Sequence, residues 1–343
     1  METQPVNFDL EYNSRSRHLS EAKPQPKIRH LLPDLGWTPQ VLVLGPGGFR
    51  GYAELGVLKV LKDKGKLEQV RHIIGCSVGS IIAMLMICGY TLDEILEISV
   101  VDEKLVRETV QTSIKLERLA EGLKEHSGLL NTSVLQDVLV KLLMNKLGVS
   151  DITLEQFHQL TRYNLILTVY NRSLKQTEYL SHYNSPTLSL IEGVMMSCNI
   201  PGLFYQISHN NYVYMDGALG NPYPVDYLDD GKLKILGIYI EEVDYAGGGG
   251  IIETIQAALM IPLAEHRKRI ISQTSSAVRH IPLSCQGGFF GIITEKFNKE
   301  SLIEIGRKAG DQFIESLRKG VSYKVAETNV PIIDESFFLE RAT

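Results

Sequence analysis

The sequence GCSVG, at residues 75–79, contains the first residue whose setting could do chemistry. Gly-x-Ser-x-Gly between a strand and a helix makes a turn so sharp that only glycine fits on either side, and it lifts the serine hydroxyl clear of the sheet. The apolar run VRHII (70–74) predicts the strand, and IIAMLMIC (81–88) predicts a helix buried on all sides. Ser77 is therefore a candidate nucleophile, and a helix N-terminus would stabilise the resulting anion. The alternative is a serine that only caps the helix.

A glycine-rich loop, GPGGFRG (45–51), follows the buried strand VLVL (41–44). It departs from the dinucleotide fingerprint, because the sixth place counted from Gly45 is Arg50, and it lacks the Gly-Lys-Ser/Thr of a P-loop. Without side chains at Gly47 and Gly48, successive backbone N–H groups can point at an anion above the sheet. The loop is a candidate oxyanion hole if it lies beside Ser77, and a turn needed only for packing is the alternative.

Asp216 is the residue best placed to take the serine proton. It follows the predicted strand NYVYM (211–215) and precedes Gly217, so it stands at the carboxyl end of a strand, where open α/β sheets gather their chemistry. None of the nine histidines has a comparable setting. A plain turn is the alternative reading of Asp-Gly.

The surrounding pattern predicts an α/β fold with a parallel sheet, because strand, loop, helix, strand, turn and helix follow one another. We expect a polar N-terminal arm at residues 1–36, a catalytic core at 37–240 and a helical insertion at 91–150, in which Thr91 caps the first helix. Residues 241–343 predict a C-terminal helical part that packs on the same domain.

Composition limits the function. The 343 residues carry a net charge of -5, which argues against nucleic acid as a partner. The four cysteines form no CxxC pair, which favours reduced, buried thiols over a disulfide framework or a metal site. No apolar run approaches the roughly 20 residues of a bilayer span, and the N-terminus lacks a signal-peptide core, so we expect a cytoplasmic protein. No pattern indicates an oligomeric state.

The three motifs together resemble the patatin-like phospholipases. That family joins a Gly-x-Gly-Gly-x-Arg-Gly loop, a Gly-x-Ser-x-Gly turn and an Asp-Gly-Ala or Asp-Gly-Gly motif, which read here as GPGGFRG (45–51), GCSVG (75–79) and DGA (216–218). MMSCNIPGLFYQI (195–207) and NPYPV (221–225) also resemble family segments, and the likeness covers roughly residues 40–240. It implies a three-layer fold with a central, mostly parallel sheet flanked by helices.

The resemblance also implies a mechanism, in which Ser77 is the nucleophile and Asp216 the general base of a dyad without histidine. The implied oxyanion hole is the loop of Gly47, Gly48, Phe49 and Arg50, with Arg50 shaping the loop or meeting a lipid phosphate. The motif glycines that match the family are Gly45, Gly51, Gly75, Gly79 and Gly217. Pro46 departs from many members, since it removes one backbone donor. The implied activity is calcium-independent hydrolysis of fatty-acyl esters of phospholipids or lysophospholipids, with no metal and no cofactor.

A lipid substrate needs an apolar entrance, for which Phe289, Phe290, Leu203 and Phe204 are candidates. The stretch IQAALMIPLAEHRKRIIS (255–272) is apolar and then basic, so it either contacts a membrane surface or forms a packed helix with a solvated end. Two other functions stay open. One is an α/β-hydrolase whose triad is completed by His266 or His280, acting on a soluble ester. The other is a lipid-binding protein without activity.

Overall fold

The structure is a computed structural model, and it describes residues 27–31, 33–98, 128–242, 251–285 and 298–325. The helices are α1 (Gly51–Asp63), α2 (Val78–Ile87), α3 (Leu92–Glu97), α4 (Ser133–Leu147), α5 (Leu154–Thr161), α6 (Leu190–Ser197), α7 (Ile251–Gln273) and α8 (Lys299–Lys319). The strands are β1 (Lys27–Leu31), β2 (Val41–Leu44), β3 (His72–Cys76), β4 (Gly128–Leu130), β5 (Asn164–Asn171), β6 (Gln176–Leu180), β7 (Gly202–Phe204), β8 (Ile207–His209), β9 (Tyr212–Asp216), β10 (Ile235–Glu242), β11 (Val278–Cys285) and β12 (Val321–Val325).

The main sheet is mostly parallel, and helices cover it. β11, β10, β2, β3 and β5 run parallel to their neighbours, while β6, β9 and β8 join antiparallel. Leu42 and Leu44 of β2 enter one core together with residues of α1, α2, α6 and α8, whereas Val41 and Val43 enter another that includes Ile270 of α7. Alternate side chains of a strand point to opposite faces. The predicted three-layer α/β fold is therefore confirmed.

Local signals explain where several helices begin and end. Thr91 caps α3, since its hydroxyl accepts the Glu94 N–H at 3.1 Å while the Glu94 carboxylate accepts the Thr91 N–H at 2.7 Å. This capping box satisfies two backbone donors that a helix start leaves unpaired. Helix α1 ends before Gly65, which has φ +62°, a conformation that favours glycine.

Strand β5 determines where two candidate residues lie. β6 occupies one of its edges, so β3 and β9 share the other. β3 runs parallel to β5 as far as Cys76, which pairs with Thr168. β9 runs antiparallel and ends at Asp216, which pairs with Val169. The carboxyl ends of β3 and β9 therefore meet head to head beside two consecutive residues of β5.

Four strands lie where the sequence predicts none. β1 falls inside the predicted polar arm. It pairs antiparallel with β12, which lies in the predicted C-terminal helical part. β4 interrupts the predicted helical insertion and pairs with β7. β11 lies in the predicted C-terminal helical part and extends the main sheet beside β10. Each of these strands is stabilised by pairing with a segment distant in sequence, which a local pattern cannot indicate.

The cysteines are as predicted, because Cys76, Cys88, Cys198 and Cys285 are all buried and free. Within the described ranges, no helix is both long and apolar enough to cross a bilayer. Residues 1–26, 99–127 and 243–250, together with Phe289 and Phe290, lie outside the described residues.

Helix α8 packs against α1 at a distance that only glycine permits. A Cβ atom on Gly306 would lie 1.8 Å from the Ala53 carbonyl oxygen, and one on Gly56 would lie 2.3 Å from the Ile303 carbonyl oxygen. Both distances are far below a van der Waals contact, so the helix axes could not approach this closely with larger residues. Because α1 begins directly after the glycine loop, α8 supports the element that carries that loop.

We expect Gly306→Ala to lower the free energy of unfolding by about 1–3 kcal/mol. The added methyl group forces α8 away from α1, and this overpacking outweighs the better helix propensity of alanine. Urea unfolding of the variant and the wild type measures the difference. Lys308→Ala, exposed on the same helix, is the matched control and should stay within about 0.5 kcal/mol. An unchanged midpoint for Gly306→Ala would contradict the close packing.

Candidate active site

Ser77 stands on the sharp turn that the sequence predicts. β3 ends at Cys76 and α2 begins at Val78, and Ser77 between them has φ 54° and ψ -127°. A positive φ is unusual for a residue with a side chain and persists only where the surroundings hold it. Only 6% of the Ser77 surface is exposed, so its hydroxyl lies in a mainly desolvated place.

Three motif glycines allow the backbone to come this close. A Cβ atom on Gly75 would lie 2.5 Å from the Cα atom of Ser80, and one on Gly79 would lie 2.3 Å from the Leu44 carbonyl oxygen. Gly217, directly after Asp216, lies equally close to β5, because a Cβ atom on it would be 2.2 Å from the Thr168 carbonyl oxygen. Any side chain at these positions would push the turn and the aspartate apart.

Asp216 is almost wholly buried, with 2% of its surface exposed. Its Oδ1 accepts the Ala218 N–H at 2.9 Å, and Oδ2 has no hydrogen-bond partner among the described residues. Burial raises the pKa of Asp216 from 3.8 to about 6, and the Ser77 hydroxyl and the Ala218 N–H lower that pKa in part. The Asp216 carboxyl group is therefore close enough to Ser77 for the hydroxyl to lower its pKa, although no hydrogen bond of normal length and angle joins the two side chains. Such bonds are often long before substrate binds.

The glycine loop lies beside Ser77. Gly48, Phe49 and Gly51 line the same pocket as Ser77, and Gly48 has φ 55°, the left-handed conformation that glycine adopts without strain. Within the described chain, the N–H groups of Gly47 and Gly48 donate no hydrogen bond. Of the two, Gly48 lies at the pocket that Ser77 lines, and its N–H is the candidate donor for an oxyanion hole there.

Arg50 and Glu54 hold this loop from within the protein. Arg50 is buried, with 5% of its surface exposed, and its Nε donates to the Gly47 carbonyl oxygen at 3.3 Å. Glu54 has no exposed surface, and its Oε1 accepts the Gly45 N–H at 3.0 Å. Burial raises the pKa of Glu54 well above its usual value, and the bond to Gly45 lowers that pKa only in part. Burial therefore favours the protonated form of Glu54.

An apolar pocket of about 120 Å³ opens at Ser77. Helices α1, α2, α3 and α4, strand β7 and the segment directly after α6 contribute to its wall, through residues such as Tyr52, Ile81, Ile95, Leu135, Cys198 and Leu203. Leu203 and Phe204, two of the predicted entrance residues, are part of this wall. The pocket has the character of a site for a hydrocarbon chain.

No histidine is among the described residues that line this pocket. His280 lies on β11, where its Nδ1 is 2.9 Å from the Tyr223 hydroxyl and its Nε2 is 3.2 Å from the Thr274 hydroxyl. His266 is exposed on α7. The structure therefore gives no support to a triad completed by either residue. Within the described ranges, no three histidine, cysteine or carboxylate side chains come together to form a metal site.

Two functional contacts were not predicted from the sequence. Glu54 looks like an ordinary solvent-facing position in an amphipathic helix, and only its burial shows its contact with the loop. Ser197 lies in the MMSCN segment that resembles the family, and the structure shows that its hydroxyl accepts the Ser77 N–H at 3.1 Å. A serine among apolar residues was the sole signal for that contact.

Comparisons with known proteins identify the family of the chain. The family model for patatin-like phospholipases matches residues 42–229, which is more than half of the chain. The chain therefore belongs to the patatin-like phospholipase family.

Two viral proteins are similar in sequence. One is the uncharacterized protein R571 of Acanthamoeba polyphaga mimivirus, 30% identical over 57% of this chain and 64% of that protein. The other is the probable lipid hydrolase 463L of Invertebrate iridescent virus 6, 29% identical over 54% of this chain and 62% of that protein. The chain thus matches less than two thirds of the length of these relatives.

The fold also has a solved counterpart. VipD from Legionella pneumophila superposes with a TM-score of 0.51 over 88% of this chain and 71% of that chain, at 16% sequence identity. At this identity the likeness concerns the fold alone.

The burial of Asp216 predicts a cost in stability that depends on pH. The pKa of Asp216 is higher in the folded chain than in the unfolded chain, so the protonated carboxyl group adds to the free energy of unfolding. This contribution is fully present below pH 3.8 and is lost as the pH rises through about 6. The rise in the pKa of Asp216 from 3.8 to about 6 corresponds to about 3 kcal/mol of stability, since a shift of one pKa unit is about 1.4 kcal/mol. We expect the wild type to lose about 2 kcal/mol relative to Asp216→Asn between about pH 4.5 and 7 in urea unfolding.

Asp230→Asn is the control for this prediction. Asp230 is exposed, and the N–H groups of Leu233 and Lys232 lower its pKa, so the trend with pH should have the opposite sign. A pH-independent difference between the wild type and Asp216→Asn would mean that Asp216 is not desolvated.

Glu54 predicts a contrast between two substitutions. Glu54→Gln keeps the shape and the acceptor oxygen of the protonated acid that burial favours, so ester hydrolysis should stay within about twofold of the wild type. Glu54→Leu removes one of the two acceptors of the Gly45 N–H, leaving the Ile238 carbonyl oxygen at 3.2 Å. It should lower kcat about tenfold, equivalent to one hydrogen bond of about 1.4 kcal/mol. Thermal unfolding checks that both variants fold. Equal losses in the two variants would show that Glu54 acts as a charged carboxylate.

Proposed function

We propose that this protein is a lipid acyl hydrolase that cleaves fatty-acyl esters of phospholipids or lysophospholipids through Ser77, Asp216 and an acyl-enzyme intermediate. The observation that carries the proposal is the setting of Ser77. A strained serine lies beside a buried aspartate with a raised pKa, next to unpaired backbone donors, at the end of an apolar pocket. Family membership and the name of one viral relative agree with this activity.

The acylation step begins with the ester carbonyl at Ser77. The serine Oγ attacks the carbonyl carbon while the Asp216 carboxylate accepts the hydroxyl proton, and the N–H groups of Gly47 and Gly48 receive the negative charge on the carbonyl oxygen. When the ester bond breaks, Asp216 returns the proton to the departing alcohol oxygen. The fatty-acyl group stays on Ser77 as an ester.

Water then completes the reaction. Asp216, again a carboxylate, accepts a proton from a water molecule as that water attacks the acyl carbon. The second tetrahedral intermediate collapses, Ser77 recovers its proton from Asp216, and the fatty acid is released. A pKa of about 6 suits both steps, because the group is roughly nine-tenths ionised at pH 7 and yet a stronger base than an ordinary aspartate.

The pocket supports a lipid rather than a polar ester as substrate. Its wall is made almost wholly of apolar side chains from the helices around Ser77, so a fatty-acyl chain that enters it leaves water. Each buried methylene group contributes about 0.8 kcal/mol to binding. The ester carbonyl of such a chain would then lie at Ser77, where the glycine loop is within reach.

The test is fatty-acid release from mixed phospholipid vesicles without calcium. We expect release by the wild type, with an acid limb near pH 6 that follows the ionisation of Asp216. Ser77→Ala and Asp216→Asn should each lower turnover by about a thousandfold or more. His266→Ala is the matched control and should keep the wild-type rate, whereas a triad completed by that residue predicts its loss.

Two outcomes would contradict the proposal. If Asp216→Asn keeps its rate while Ser77→Ala loses it, another residue is the base. If the folded wild type neither releases fatty acid nor reacts with a fluorophosphonate probe, the site is not catalytic, and lipid binding without hydrolysis becomes the better account.

A further inference from the structure

Two consecutive side chains at the end of α6 hold both backbone groups of Ser77. The Ser197 hydroxyl accepts the Ser77 N–H at 3.1 Å, and the Cys198 thiol donates to the Ser77 carbonyl oxygen at 3.1 Å. Ser197 has no exposed surface and Cys198 has 6%. We call these two residues the backbone clamp, since one binds the N–H and the other the carbonyl oxygen of Ser77.

The hydrogen-bond capacity of Ser197 is fully used. Its single proton goes to the Thr168 carbonyl oxygen at 2.8 Å, because that oxygen can only accept. Its oxygen accepts the Ser77 N–H, and the Ser80 hydroxyl, 2.7 Å away, must then be the donor of the third bond. Ser197 thus joins β5, the serine turn and the first turn of α2 in one fixed arrangement.

The next residue connects the clamp to the aspartate. The Asn199 carbonyl oxygen accepts the Asp216 N–H at 2.9 Å, and the Asn199 side-chain amide donates to the Tyr214 carbonyl oxygen at 2.9 Å. Three consecutive residues therefore bind Ser77 on one side and the end of β9 on the other.

The conformation of Ser77 explains why such a contact matters. With φ 54°, the serine is in a region that residues with side chains leave unless neighbouring groups prevent it. If Ser77 relaxed, its hydroxyl would turn away from Asp216 or from the glycine loop. Displacements of about 1 Å are enough to cost a reaction a hundredfold in rate.

We propose that Ser197 and Cys198 are positioning residues, which keep Ser77 in its strained conformation and, through Asn199, set its distance from Asp216. This inference rests on the proposed function of Ser77 as a nucleophile. Neither residue exchanges a proton with substrate. Their effect is on the geometry of the two groups that do.

The test compares Ser197→Ala, Cys198→Ala, Cys198→Ser and the double alanine variant on p-nitrophenyl butyrate. Each alanine variant should lower kcat about tenfold to a hundredfold. Ser197 is not among the residues that line the pocket, so Ser197→Ala should keep KM within about twofold of the wild type, whereas Cys198 lines the pocket and its variants are compared by kcat alone. Cys198→Ser supplies a hydroxyl donor and should recover most of the rate. The double variant should lose less than the product of the single losses, because both residues hold the same serine.

Two further measurements distinguish a positioning role of Ser197 and Cys198 from a general loss of stability. The acid limb of the pH profile should move to higher pH in Ser197→Ala, because the nearby Ser77 hydroxyl lowers the pKa of Asp216 and that effect weakens with distance. Ser189→Ala, at the other end of α6, and Cys88→Ala remove one buried or partly buried polar group each and should change melting temperature without changing kcat. Equal losses of kcat in these controls would overturn the proposal.

A crystal structure of Ser197→Ala tests the clamp without any substrate. A Ser77 that leaves positive φ supports the proposal, and a Ser77 that keeps φ near 54° with the same distance to Asp216 overturns it. Failure of the proposed function looks different. In that case wild type and Ser77→Ala are equally inactive on the vesicles and the ester, while the crystal structure still decides whether the clamp holds the backbone.

Discussion

The placement of Ser77 and Asp216 depends on one shared strand edge. β3 and β9 run in opposite directions along the same edge of β5, and they end beside Thr168 and Val169. Two strands that meet end to end leave no room for either chain to continue straight, so each must turn out of the sheet at that point. Ser77 and Asp216 are the residues at those two turns. Their proximity is therefore a property of strand pairing, and the close-packed glycines permit it.

Desolvation gives the two buried acids of this region different properties. Asp216 keeps one unpartnered carboxylate oxygen beside Ser77, and its pKa of about 6 lets it ionise near neutral pH. Glu54 has no exposed surface and accepts the Gly45 N–H, and burial raises its pKa well above the usual value. A charged Glu54 beneath the glycine loop would oppose the negative charge that the loop is proposed to stabilise. One of the two buried acids thus ionises near neutral pH, while burial favours the protonated form of the other.

Sequence reasoning reached the motifs and the elements that carry them, because both depend on short-range signals. The apolar strands, the glycine-flanked serine and the Thr91 cap can each be recognised within a few residues. β4 and β11 were missed, since their stability comes from β7 and β10, which are distant in sequence. The roles of Ser197 and Glu54 were missed for a related reason, because hydrogen bonds to residues 120 and 9 positions away leave no local pattern. The site residues were predictable by type and spacing, whereas the contacts that hold them were not.

The part of the chain beyond the family match also bears on the site. The matched region ends at residue 229, but α8 packs on α1 through Gly306, whose position would not admit even a methyl group beside the Ala53 carbonyl. Helix α1 starts at Gly51, directly after the glycine loop, and it carries Glu54. A displacement of α8 would therefore move α1, and α1 would move the glycine loop that precedes it. We infer that the C-terminal helix belongs to the same cooperative unit as the matched region, since it packs closely on the helix that follows the glycine loop.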